Sequence, residues 1–262
     1  MEKTTKAPAV KPANQSSGLN PIFVIPVIAV ISVLIYMFIL GKAPKGSWME
    51  IVHSGGIIVP FLITFMFIVL VFSIERFITL NKASGSGDLD SFVRKVRSLL
   101  GQNNIADAIK ECDKQKGTVG NVAKTALQKY AQLQGDSSLN KEQKLAALSK
   151  EIEEATSLEL PMLEKNLTIL STLASVSTLV ALLGTVIGMI KSFFALGDGG
   201  GSPDAGKLAQ GIAEALINTG LGIGTSAIAI IMYNYFTSSI DTLTYKIDEI
   251  GMSLQQTFSA NN

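Results

Sequence analysis

Cysteine and histidine each occur once in this chain, as Cys112 and His53. A lone thiol closes no intrachain disulfide, and its place in a charged stretch suits a reducing compartment. A lone imidazole excludes a multi-histidine metal site, so neither a metal nor another cofactor is expected. Net charge is only +1, so no global field draws the chain to nucleic acid. There is no paired catalytic constellation, and an enzyme is not expected. One further absence is positional: no Asp, Glu, Lys or Arg lies at the middle of any long apolar stretch.

What is present is apolar residue in long runs. Hydrophobic residues make up 47% of the 262, and mean hydropathy is +0.37 although 16% of residues are charged. A spanning helix needs about 20 largely apolar residues to cross about 30 Å of hydrocarbon. Four stretches qualify: Ile22 to Leu40, the interval between Glu50 and Glu75, that between Lys165 and Lys191, and that between Glu214 and Asp241. Isolated strands would leave backbone groups unsatisfied in lipid, so all four are read as helices. The first competes with a signal-peptide reading. The polar stretch of about 20 residues before it favours an uncleaved anchor. Pro21 and Pro26 fall near its first turn, where proline is tolerated.

Basic residues predict the orientation. With a cytoplasmic N-terminus, 18 Lys and Arg lie inside and 4 outside (Lys42, Lys45, Lys191 and Lys207). Both termini are then cytoplasmic. The expected organisation is a polar cytoplasmic tail (1–21), an extra N-terminal transmembrane helix (22–40) and an extracytoplasmic loop (41–54). A transmembrane helix (55–80) and a helical cytoplasmic insert (81–166) follow. Two further transmembrane helices (167–194 and 207–240) flank an extracytoplasmic loop (195–206), and a cytoplasmic tail (241–262) ends the chain.

Within the insert, Ser84-Gly85-Ser86-Gly87 reads as a linker, and Asp88 as the cap of a helix carrying Leu89, Phe92, Val93, Val96, Leu99 and Leu100 at helical spacing. Gly101, Gly117 and Gly135 divide the helices that follow. A last stripe, Leu145, Leu148, Ile152, Ala155 and Leu158, has no clear stop except Pro161, so it is expected to run almost continuously into the third membrane segment. Glu151, Glu153, Glu154 and Glu159 read as a solvated face.

The third segment carries hydroxyls. Ser171, Thr178, Thr185 and Ser192 are seven residues apart, nearly two turns, and share one face. Packing and pore lining both account for such a stripe. Gly184 and Gly188 form a GxxxG pair that predicts a close neighbouring helix. Ala215, Gly222 and Ala229 make a second small-residue face in the fourth segment. Glu214, where that segment begins, is either an interfacial residue favoured by the helix dipole or part of an ion path, with Asn218 and Thr219 about one turn further on. Glu75 and Arg76 close the second segment and read as snorkelling anchors. If protons cross, a relay acid has to come from a partner helix.

Two motifs resemble a known family. Leu183-Gly184-Thr185-Val186-Ile187-Gly188-Met189-Ile190-Lys191-Ser192-Phe193 is similar to the GTV-x-G-M helix of the ExbB/TolQ/MotA proton-channel family. Gly211-Ile212-Ala213-Glu214-Ala215-Leu216-Ile217-Asn218-Thr219-Gly220-Leu221-Gly222 resembles the GIAEAL-x-x-T helix of ExbB and TolQ, and Tyr233-Asn234 the YN that ends it. The resemblance implies three family core helices; with the extra N-terminal one read from the apolar runs, in which this chain departs from the family, the expected fold is an all-α integral membrane protein with four transmembrane helices, a helical cytoplasmic insert, and membrane helices extended into the cytoplasm. It implies a homo-oligomer, a pentamer in this family, around an ExbD-like single-helix partner carrying a membrane Asp. It further implies a bacterial inner-membrane complex that passes proton-motive work to a TonB-like protein and outer-membrane transport. A TolQ-like envelope subunit and a MotA-like motility stator are the alternatives within the family, and a non-transporting membrane scaffold is the alternative outside it. By the resemblance Thr185, Thr219 and Glu214 belong to the proton pathway, with Thr178 and Asn218 as further candidates and Gly184, Gly188 and Gly222 as packing positions. The family commonly has proline where Thr178 and Ile228 stand, which would kink its helices there, and a small residue in place of Asn218.

Overall fold

The computed structural model describes residues 19–197 and 205–261, and every element among them is helical. The expected N-terminal tail and the glycine-rich part of the 195–206 loop lie outside the described residues. Nine α-helices follow in order: α1 (Pro21–Leu34, continuing as a π-helical stretch Ile35–Leu40), α2 (Trp48–His53), α3 (Val59–Ser84), α4 (Leu89–Gly101), α5 (Ile105–Gln115), α6 (Gly117–Gln134), α7 (Lys141–Glu164), α8 (Leu167–Gly197) and α9 (Ala205–Asn261). Four helical stretches are long and apolar enough to cross a membrane. They begin at Pro21, Gly56, Lys141 and Ala205, and each overlaps one of the four apolar runs read from the sequence.

The described chain divides into two compact units. The first comprises Leu19–Phe77 and Asn166–Thr237. It starts at Asn20, whose side-chain carbonyl caps α1 by accepting from Ile22 N at 3.1 Å, with Pro21 in the first turn where its missing N–H costs nothing. Against α3, Ala181 of α8 joins Ile58 and Leu62 in a buried apolar cluster. Apolar side chains on the outer faces, such as Phe23 and Val30 of α1 or Leu179 and Val186 of α8, remain exposed in the single chain, as a hydrocarbon solvent requires. α8 and α9 run unbroken through Thr178 and Ile228, where the family's prolines are absent.

Glu75 and Arg76 do not snorkel. Arg76 is 1% exposed and Glu75 8%, and they pair with each other, Nε donating to Oε2 at 2.8 Å and Nη2 to Oε1 at 2.6 Å. A long charged chain with no route to water is stable only when its charge is matched locally. Asn166 adds to this cluster. Its backbone is left-handed (φ 65), which asparagine tolerates better than most residues, and its Nδ2 donates to Leu19 O at 3.2 Å and to Glu75 Oε2 at 3.4 Å. The interruption between α7 and α8 is therefore Lys165–Asn166, while α7 passes straight through Pro161.

The second unit holds Ile78–Lys165 and Ser238–Asn261. Its helices are capped as their sequences predict: Asp88 Oδ2 accepts from Ser91 N at 2.8 Å, and Asn140 and Gln143 form a reciprocal capping box. Its core draws on Val93, Val96, Leu100, Ala126, Leu127, Leu148 and Ile152, together with Leu243, Ile247, Leu254 and Phe258 of α9. Tyr130 meets the Phe258 ring edge-to-face at 4.8 Å. Residues 241–262, read as a tail, are thus helical to Asn261 and bury one face in the insert. Lys246 pairs with Asp90 at 2.5 Å and Arg97 with Glu249 at 3.1 Å, fastening α4 to α9. Leu158, assigned to the apolar stripe, is 70% exposed, and Glu159, assigned to the solvated face, accepts from Thr118 and Asn121.

The Ser84–Gly87 stretch is tied down at the α5–α6 corner. Ser86 N donates to Gln115 O at 2.6 Å and Gln115 Nε2 to Ser84 O at 3.1 Å. Gly117 (φ 67) lies so close to Ala83 O and Gly85 N that a Cβ has no room. Cys112 is buried in this unit, and burial, with Asp113 nearby, pushes its thiol up to about 12.

Candidate functional site

α8 and α9 are antiparallel and in close contact along their apolar lengths. Ser226 Oγ donates to Ala174 O, Gly222 faces Ser177 and Ala181, Gly184 faces Asn218, Gly188 faces Gly211 and Ala215, and Ser192 Oγ donates to Leu208 O at 3.2 Å. Small residues at each crossing let the backbones approach. A Cβ on Gly184 would meet Asn218 Cβ at 2.8 Å, and one on Gly188 would meet Gly211 O at 2.7 Å. Gly184, Gly188 and Gly222 lie at this seam.

The same register brings two hydroxyls together. Thr185 Oγ1 and Thr219 Oγ1 are 2.5 Å apart. Thr185 Oγ1 also lies 3.2 Å from Ala181 O and 3.5 Å from Ala215 O, and Thr219 Oγ1 lies 3.0 Å from Ala215 O. Each hydroxyl has one proton and two lone pairs. Two arrangements therefore satisfy the pair. Thr219 donates to Ala215 O while accepting from Thr185, or Thr185 donates to Ala181 O while accepting from Thr219. Interconverting them needs only rotation about two C–O bonds. That is the property required of oxygens that pass a proton along a chain of hydrogen bonds.

Glu214 lies one turn before Asn218 on α9. It is 5% exposed and accepts two hydrogen bonds from Lys191 Nζ of α8, at 2.7 and 2.9 Å. Its Oε1 abuts Gly56, whose φ of 76 and lack of a Cβ make room for it. Asn218 is fully buried. Its Nδ2 donates to Gly55 O at 3.0 Å, and its Oδ1 has no partner among the described residues. Thr178 is half-buried two turns before Thr185, and none of the hydrogen bonds of the threonine pair reaches it.

Two features were missed in the sequence. Lys191 was counted only as an outside charge, although it and Glu214 stand at facing ends of consecutive spans joined by a short connection, a pattern from which an ion pair can be read. The contact of Gly55 and Gly56 with Asn218 and Glu214 depends on the turn before α3 and left no periodic signal.

Fold and seam together define a polytopic α-helical membrane protein with a hydroxyl pair inside its helix packing. Comparison narrows the class. The profile of the MotA/TolQ/ExbB proton channel family matches residues 114–249. A putative biopolymer transport protein ExbB homolog of Methanothermobacter thermautotrophicus is 30% identical over 205 residues, covering 78% of this chain and 68% of that one. Biopolymer transport protein ExbB of Helicobacter pylori is 39% identical over 84 residues, 32% of this chain and 57% of that one. The Tol-Pal system protein TolQ of Haemophilus influenzae is 36% identical over 85 residues, 32% of this chain and 37% of that one. These last two alignments span well under two thirds of the relatives' lengths. The chain belongs to the MotA/TolQ/ExbB proton channel family.

Proposed function

We propose that this chain is the ring-forming subunit of a proton-driven complex of the ExbB type in a bacterial inner membrane, with both termini cytoplasmic. The observation that carries the reading is the 2.5 Å contact between Thr185 and Thr219, one from each family motif. Copies of the chain, five by family analogy, surround an ExbD-like single-helix partner whose membrane Asp is the relay acid that this chain lacks. A protonated Asp is neutral and tolerates apolar ring surface. Once ionised, it prefers hydroxyls and water, because a bare charge in low dielectric is costly. The Thr185–Thr219 pair supplies that environment, with Thr178 continuing the same face. Each proton moved down a potential of about 100 mV releases about 2.3 kcal/mol to bias the partner's movement. The load is a TonB-like protein serving outer-membrane transport.

A TolQ-like role has its own support in the TolQ match of nearly equal identity. The partner separates the two, as it does a MotA-like stator. The test is affinity purification from membranes, identification of the bound single-helix protein by mass spectrometry, and acid-pulse flux in proteoliposomes. The reading requires flux that depends on the partner's membrane carboxylate. A stable complex that carries no protons at any imposed gradient is a scaffold, and the proposal fails.

A further inference from the structure

The conduit just proposed leaves one nearby charge without a role. Lys191 gives both of its short hydrogen bonds to Glu214, 2.7 Å to Oε1 and 2.9 Å to Oε2. The partners are unequally placed, since the Lys191 side chain is 52% exposed and that of Glu214 only 7%. A carboxylate removed so far from water needs a cation against it. The lysine delivers one on a flexible stem from its exposed side. Gly56 closes in on Oε1 from α3's leading turn, where no Cβ fits. The two Glu214 oxygens thus offer ligands to a small cation, and an ammonium already occupies the place.

We infer that Lys191 is a tethered counter-cation that sets ion selectivity: it fills the position at the Glu214 carboxylate that Na+ would take, and so leaves the hydroxyl pair to protons. The inference rests on the conduit reading for its functional consequence, but the occupancy itself does not. Ammonium and Na+ carry the same charge and compete for the same oxygens. Lysine wins because it is covalently attached, which holds its local concentration far above that of a diffusing ion. A proton does not meet this competition, because it moves by exchange between hydrogen-bonded oxygens and needs no coordination shell. Replacing Lys191 by methionine keeps much of the stem's apolar volume and removes the charge. The carboxylate oxygens are then left to a free cation.

The experiment is thermal unfolding of the purified full-length protein in detergent, in NaCl against choline chloride at equal ionic strength. Wild type melts at the same temperature in both salts. Lys191→Met, and Lys191→Gln as a second neutral form, gain a saturable Na+-specific rise of a few degrees. Lys191→Met/Glu214→Gln loses the rise, and Lys191→Arg behaves as wild type. A Na+-specific rise in wild type overturns the inference, as does its absence in both neutral variants when circular dichroism shows them folded. Because this readout requires no conduction, a Na+ response in the variants with no proton flux in the wild-type complex sinks the conduit and leaves the tethered cation standing.

Discussion

Alanine at Gly222 tests the α8–α9 seam more sharply than any larger change. The added Cβ would press on Ala181 Cβ and come within 2.7 Å of Ser177 O. Ser177 O is backbone and Ala181 Cβ is nearer still, and ordinary contact begins at 3.4 Å, so the helices have to separate locally by at least roughly 0.7 Å. Thr219 lies one turn away on α9 and Thr185 one turn beyond Ala181 on α8, so the same displacement opens their 2.5 Å contact to about 3.2 Å. That exceeds the usual O–H···O range of about 2.5–3.0 Å. Overpacking of this kind costs about 1–3 kcal/mol. The expected result is a lower melting temperature in detergent together with a loss of proton flux larger than the loss of assembled complex. Ala181→Gly added to Gly222→Ala removes one of the two clashes and recovers part of both signals. Wild-type melting and flux in the Gly222→Ala protein would refute the packing on which the site depends.

The buried Glu75–Arg76 pair predicts that Arg76→Ala destabilises the folded chain by about 3–5 kcal/mol, because it removes the cation held against a buried carboxylate; Arg76→Ala/Glu75→Gln should recover much of this in the same denaturation assay. Tyr130→Ala should cost about 3–5 kcal/mol by emptying the space against Phe258, seen as faster proteolysis at the α6 and C-terminal α9 segments. Cys112 should resist alkylation at pH 8 in the native protein and react once it unfolds, since its thiol is held up to about 12. The linkage has a definite sign. The unfolded thiol ionises near 9.0, so the stability it contributes is complete below about pH 9 and falls as pH rises towards 12, measurable as an alkaline decline in unfolding free energy that Cys112→Ala reduces.

The membrane helices were legible because a hydrocarbon solvent enforces composition: charge-poor runs of spanning length stand out, and only the first of the four had a competing reading, as a signal peptide. The insert was legible because period 3.6 and caps such as Asp88 and Asn140 are local signals. The threonine pair could be anticipated as two motifs but not as a contact, because its distance is fixed by small residues at 181, 188, 215 and 222 that set how closely two helices lie. What escaped the sequence was non-local. α9 carries its apolar stripe into the insert through Leu243, Ile247, Leu254 and Phe258, which by itself reads as an amphipathic tail. Arg76 looks like an anchor until its partner and its depth are known. Asn166 breaks a helix through a left-handed backbone that no proline or glycine announces.

The proposed conduit needs the hydroxyls of Thr185 and Thr219 to carry protons, and isosteric replacement is the most direct measurement. Proton flux into proteoliposomes should vanish for Thr185→Val, which keeps the shape and loses the oxygen, and persist for Thr185→Ser, which keeps the oxygen. Equal flux through the valine and serine complexes, at matched amounts of assembled protein, would show that the path runs elsewhere.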